Sequence, residues 1–238
     1  MRTFLLIFCV TIGVQSFAGW HVVNGNGISK TETREASNYT SLASGGPMDV
    51  EIAYGNSNTI KLEGEENLLP YLETEVKDNR LTIKIKEGYT LKTHQSLKVY
   101  VSMTTLNALA QSGSGSIKGE GDFSNNDNTS VATSGSGSIK LKFSSFSSLS
   151  VRMSGSGNIN LSGKVENEAD VKQSGSGNAN LDDITCQSAT VQLSGSGNLR
   201  IHADRALTAQ ISGSGNIVYS GDATVTSRTS GSGRVRKA

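Results

Sequence analysis

Cysteine is nearly absent: Cys9 lies in an apolar run at the N-terminus and Cys186 is the other. Removal of the leader inferred below leaves Cys186 alone, which excludes an intramolecular disulfide framework. With no histidine or basic cluster beside it, Cys186 reads as a small apolar filler rather than a reactive thiol. Two prolines against 27 glycines exclude a proline-rich disordered chain and favour tight turns between regular strands. Aromatic residues make up 5% and hydrophobic residues 35%, too little for a thick globular core but enough for a thin one. Neither sign of charge is in excess, with 22 Lys and Arg against 21 Asp and Glu. The electrostatic footprint of a nucleic-acid binder is therefore missing. No apolar run reaches the roughly 20 residues of a membrane span.

The N-terminus reads as a secretory leader. Arg2 supplies a positive start, Phe4 to Val14 an apolar run, and Ser16-Phe17-Ala18 a small-residue cleavage site, placing the cut after Ala18. Cys9 sits inside the apolar run after Phe8, where a lipoprotein signal would want a small residue, so lipidation is not the reading taken.

What the second half has in abundance is one tetrapeptide. Ser-Gly-Ser-Gly begins at Ser112, Ser134, Ser154, Ser174, Ser194, Ser212 and Ser230, at spacings of 22, 20, 20, 20, 18 and 18 residues. A unit that short buries no core alone, so copies must stack into a solenoid. Aligned on the motif, apolar residues recur with period two: Ile159, Ala179 and Leu199 after it, Val151, Val171 and Val191 before it. Polar residues such as Arg152, Lys172 and Gln192 fill the alternate places, the pattern of strands with one face in and one out. Each rung thus reads as strand, glycine corner, strand and variable connection, with equivalent strands in parallel sheets and two sheets facing across a narrow core. The corner residues are the first glycines, Gly113, Gly135, Gly155, Gly175, Gly195, Gly213 and Gly231, and the second, Gly115, Gly137, Gly157, Gly177, Gly197, Gly215 and Gly233. Both sets are assigned the positive-φ freedom of a sharp turn.

Residues 19–110 lack the strict motif and read as degenerate, strand-rich rungs; residues 111–238 hold the regular repeats, and 19–238 read as one domain. Val50 to Tyr54, Thr59 to Leu62 and Leu97 to Val101 alternate as strands, and Asp78-Asn79 reads as a hairpin turn between Glu75–Lys77 and Leu81–Lys86. Asn24-Gly25-Asn26-Gly27 reads as a degenerate corner. No segment has helical periodicity.

The chain closely resembles the bacterial head GIN domain family of autotransporter-type adhesins over nearly its whole length after the leader. The residues that carry the resemblance are the Ser154–Ile159 repeat and its copies, Glu66-Asn67-Leu68-Leu69-Pro70-Tyr71 with Thr74-Glu75-Val76, and Leu97-Lys98-Val99-Tyr100-Val101. The resemblance implies a two-sheeted, pectin-lyase-like parallel β-helix, export by Bacteroidetes-like bacteria and a role in cell adhesion, with a homotrimer among the assemblies it admits. It supplies no catalytic or binding residue to carry over, and a shared fold does not transfer activity.

β-Helix enzymes that cleave acidic polysaccharides need clustered carboxylates, often with Ca²⁺. Asp182-Asp183 is the one adjacent Asp pair; neighbours on a strand face opposite ways, and it reads as a surface loop. The turns lack the aspartate of calcium-binding glycine-rich solenoids. The apolar positions do not keep the hexapeptide period of acyltransferase β-helices. His21, His94 and His202 are far apart in sequence, and no motif serine has an evident base. The serines and the neighbouring Asn158, Asn178, Asn198 and Asn216 read as a structural ladder beside the corners.

The reading is therefore an all-β parallel β-helix, exported to the cell surface, periplasm or medium, without catalysis, cofactor or metal. Its role is that of an adhesin or envelope scaffold, with a host or cell-surface glycan or protein as partner. The alternative is a periplasmic β-helix enzyme or binding module acting on polysaccharide.

Overall fold

The computed structural model describes residues 21–238, without the side chain of Asn126. The leader assigned to residues 1–18 lies outside the described residues. The regular elements among the described residues are all strands, apart from one 3₁₀ turn at Leu69–Tyr71.

The rung around the fourth motif shows how sequence becomes structure. Strand Glu168–Gly175 leads into Ser176-Gly177, and strand Asn178–Thr185 leaves it. Ala169, Val171, Ala179, Leu181 and Ile184 are buried, while Lys172, Ser174 and Asn178 are exposed. This is the period-two alternation, one face to the core and one to solvent. Glu168–Gly175 pairs in parallel with Ser188–Gly195 on one side and with residues 149–155 on the other. Asn178–Thr185 does the same with Asn158–Val165 and Asn198–His202.

Repeating this arrangement yields two parallel stacks. The strands entering the junctions stack as Arg80–Ile85, Ser41–Gly45, Ala108–Gly113, Ser124–Gly135, the end of Ser138–Gly155, Glu168–Gly175, Ser188–Gly195, Ala206–Gly213 and Thr224–Ser230. Those leaving them run from Lys98–Met103 and Asp49–Tyr54 through to Arg234–Lys237. Buried apolar residues from Ala36 to Ile217 form one core cluster.

The N-terminal rungs are laid down out of chain order. Arg80–Ile85 and Lys98–Met103 lie outside Ser41–Gly45 and Asp49–Tyr54, so the chain passes back across the earlier rung to reach Ala108. Three antiparallel pairings occur only at this end: Ser29–Glu35 with Thr59–Glu65, Thr59–Glu65 with Lys98–Met103, and the hairpin Leu72–Lys77 with Arg80–Ile85. The hairpin turns on Asp78 and Asn79, both at positive φ (49° and 58°). Two residues with positive φ make the tight turn whose twist suits a two-residue hairpin.

The two glycines of each Ser-Gly-Ser-Gly segment differ. The first glycines have φ between 101° and 126°, where a side chain is strained. The second glycines do not, and are constrained by crowding instead. A Cβ on Gly177 would lie 2.1 Å from the Gly157 carbonyl oxygen; one on Gly175 would lie 2.3 Å from that of Gly155. That approach lets Gly155 O accept two bonds from the next rung, from Ser176 N at 3.0 Å and Gly177 N at 3.2 Å. The N-terminal counterpart is Gly45-Gly46: Gly46 N donates to Ser112 O and Gly115 N to Gly46 O. Asn24–Gly27, expected as a corner, is instead the loop between strands His21–Asn24 and Ser29–Glu35, and it joins no junction stack. Gly25 is needed there for another reason, since its Cβ would fall 1.8 Å from Glu65 Oε2.

Glu65 is a buried carboxylate that ties the N-terminal loops together. It accepts the backbone N–H groups of Gly27 (2.7 Å), His94 (2.6 Å) and Gln95 (3.2 Å), and the His94 ring nitrogen lies 3.3 Å away. The Gly27 amide foremost, with those of His94 and Gln95, holds its carboxyl down at about 2 against the opposing effect of burial.

Two outcomes follow from this geometry. Gly175→Ala should lower stability by more than the roughly 1–3 kcal/mol of backbone strain alone, because it also pushes two rungs apart. Gly27→Ala, at φ 75° with open space around it, should cost only the strain. Denaturant midpoints of the two variants check the order, and equal losses would contradict it. Because Glu65 titrates at about 2 folded and near 4.3 unfolded, its contribution is complete above about pH 4.3 and is lost as pH falls toward 2. The stability gap between wild type and Glu65→Gln should therefore narrow across that window. A gap constant from pH 5 to pH 2 would refute the assignment.

Candidate binding groove

Parallel register converts sequence alignment into columns of side chains. The residue two places before each motif faces outward, so Arg152, Lys172, Gln192, Gln210 and Arg228 stand in one line up the first stack. The same line continues through Ala132, Ala110 and Ala43 to Thr82. Beside it runs a line of the first motif serines, from Ser230 to Ser112, then Gly45 and Lys84. These two lines bound an open groove of about 1080 Å³ that touches every strand of the stack. At about 4.8 Å per strand, the groove is on the order of 40 Å long.

Charge is segregated in it. Lys84, Arg152, Lys172 and Arg228 line the groove, and no carboxylate does. Asp170, at the rim, takes a 2.8 Å bond from Arg152, and Glu73 lies 3.4 Å from Lys84. Lys172 and Arg228 make no ion pair among the described residues. The outer face of the second stack mixes its signs, with Lys142 paired to Glu120 at 2.6 Å and Arg200 to Asp182 at 2.8 Å. An asparagine ladder edges that face. Asn178 donates to Asn158 (3.3 Å), Asn198 to Asn178 (3.2 Å) and Asn216 to Asn198 (3.2 Å).

Behind the serines, inside the junctions, stands a third column that is partly polar. Gln111 donates to Gly115 O (3.0 Å) and accepts from Thr133 Oγ1 (2.9 Å), while Gln173 donates to Gly177 O (2.6 Å). All three side chains are buried. The two glutamine amides donate to junction carbonyls, Gly115 O and Gly177 O, while Gln173 Oε1 is buried without a partner among the described residues.

The structure places the remaining sequence candidates as follows. The motif glycines lie at the junctions where one stack passes into the other. Asp182 and Asp183 lie within strand Asn178–Thr185 rather than in a surface loop, and both are on the outer side, contrary to the opposite-faces expectation, because the ladder shifts by one residue there. His21 lies against Tyr89, and His94 caps Glu65. His202 is not isolated: Ser220 Oγ is 3.0 Å from its Nδ1 and Asp204 Oδ1 is 2.9 Å from its Nε2. Sequence reasoning missed this cluster, although the 20- and 18-residue offsets from Asp182 to His202 to Ser220 carry its signal. The Ser220 hydroxyl donates to Asp182 Oδ1 at 2.8 Å, so its proton is committed to the carboxylate rather than to the imidazole. The Arg200 guanidinium foremost, then Ser220, holds the Asp182 carboxyl below its ordinary value. The cluster is a hydrogen-bonded strut across three rungs. Among the described residues, no group of three or more His, Cys, Asp or Glu is placed to hold a metal ion, and no helix is long and apolar enough to cross a membrane.

A family model described as "Putative auto-transporter adhesin, head GIN domain" matches residues 38–223. Solved structures share the fold. A "putative adhesin" of Bacteroides fragilis superposes with a TM-score of 0.84 at 19% identity, covering 91% of this chain and 100% of that one. A "putative lipid binding protein" of Parabacteroides distasonis reaches 0.74 at 25% identity, covering 91% and 99%. A "putative adhesin" of Parabacteroides merdae reaches 0.62 at 22% identity, covering 92% and 99%. No curated protein matches the chain.

Cys186 is buried and its Sγ–H donates to His202 O at 3.1 Å. Burial, with the charge of Asp204, pushes the thiol up to about 12. It should therefore resist a maleimide or disulfide reagent at pH 8 in the folded protein and react fully in denaturant. Native-state labelling at the rate of a free thiol would contradict this placement.

Proposed function

We propose that this chain, which belongs to the head GIN domain family, is an exported, non-enzymatic adhesion module whose contact surface is the groove along its first stack. On this reading residues 1–18 are removed, residues 19–238 act as one β-helical domain, and the Ser-Gly-Ser-Gly segments are its structural corners. The observation that carries it is the groove itself, which runs the length of the stack and presents a serine on each strand of the regular repeats. An active site concentrates its chemistry at one point; a repeated strip suits an extended partner held by many weak contacts. The neighbours named as adhesins support the same reading.

Protease treatment or surface labelling of intact cells tests it. The protein should be reached in whole cells as completely as in lysed ones. Full protection until the envelope is opened would defeat direct adhesion and favour the alternative, a periplasmic module acting on polysaccharide.

A further inference from the structure

We propose that the groove binds a linear acidic polysaccharide, a deepening that rests on the groove being the contact surface. Three features of the site point to this ligand class. First, a chain with almost balanced charge puts four cations and no carboxylate into one groove. Arg152 and Lys172 stand side by side in register on adjacent strands. Like charges so placed oppose folding, and Asp170 pairs with only one of them. An incoming anion relieves that repulsion.

Second, the groove repeats, running across successive strands for a length on the order of 40 Å, which suits a linear polymer. Serine hydroxyls recur at every rung of the regular repeats, and Gln192 and Gln210 lie between the cationic pair and Arg228. Hydroxyls and amides donate and accept, which matches sugar hydroxyls. The cations match carboxylate or sulfate groups spaced along the chain. Lys172 and Arg228 are three strands apart, about 14 Å, so a ligand engages both only if it is an oligomer.

Third, other polymers fit worse. No aromatic residue lines the groove, so neither base stacking nor sugar-face stacking is available. The groove lies on a sheet face whose backbone groups are already paired in the ladders, so an extended peptide would find no main-chain partners. An acyl chain wants an enclosed cavity; this groove is open along its length.

The test is calorimetric titration of the purified chain with polygalacturonate, a linear uronate polymer, and with its fully methyl-esterified form, which keeps the backbone and removes the charge. Polygalacturonate should bind and the ester should not. Binding should weaken with added salt, and oligomers too short to reach from Lys172 to Arg228 should bind less tightly. Lys172→Gln and Arg228→Gln alter exposed side chains and should each weaken binding roughly tenfold, while Lys140→Gln, an exposed cation on the second stack, should change nothing. Unchanged melting temperatures of the variants separate lost contacts from lost fold.

Equal binding of the ester would overturn the acidic ligand and leave the groove as a neutral-glycan surface. Polygalacturonate binding unaffected by the two groove variants would place the site elsewhere. Tighter binding of polyglutamate or of phosphatidylglycerol vesicles would replace the polysaccharide by an acidic peptide or a lipid surface. Charge-dependent groove binding by a protein that is never reached on intact cells would leave the ligand class standing and remove adhesion.

Discussion

The Gly155 carbonyl accepts amide protons from both Ser176 and Gly177 of the rung above, and this doubled contact recurs at junction after junction. It requires a backbone oxygen to sit where a Cβ would otherwise be. The rest of the architecture depends on that approach. Because both glycines lack a side chain, successive rungs close to strand spacing at their tightest point. Register is then fixed at the junction and propagates along both strands. Once register is fixed, a residue's offset from the motif determines its column, its face and its neighbours. The thin aliphatic core, the asparagine ladder and the cationic line are consequences of one backbone contact repeated.

That dependence explains what was legible in the sequence. The repeats disclosed the rung, the alternation and the parallel stacking, because motif and register are the same information. The groove was legible in the same way: Arg152, Lys172, Gln192, Gln210 and Arg228 all stand two residues before a motif. The alternation disclosed its polar, outward line, but the excess of positive charge in it was missed because charge was counted over the chain, where 22 positive residues and 21 negative ones cancel, and not by column. The Asp182, His202 and Ser220 cluster was hidden by treating histidines as sequence neighbours or nothing. Register makes neighbours of residues some 20 positions apart.

The N-terminal region was harder for physical reasons. Its junction is Gly45-Gly46 followed by Pro47, which keeps the backbone approach without the motif's spelling. Its rungs stack out of chain order, so no periodicity could show which strand lies beside which. Its cohesion comes partly from Glu65, a single carboxylate collecting amides from two loops, and a lone charged residue gives no pattern to read. Local features there were legible: alternation marked the strands at Asp49–Tyr54, Thr59–Glu65 and Lys98–Met103, and the Asp78-Asn79 dipeptide announces its turn.

The two ends of the solenoid are unlike. At the N-terminal end antiparallel strands and the hairpin cover the outermost rung, whereas among the described residues Thr224–Ser230 and Arg234–Lys237 each have a neighbour on one side only. Arg228, Arg234, Arg236 and Lys237 stud that open edge, and such charges keep a bare strand from recruiting another. The asymmetry makes the two ends unequal in cohesion: the rung of Thr224–Ser230 and Arg234–Lys237, held from one side among the described residues, opens more readily than the covered N-terminal rung.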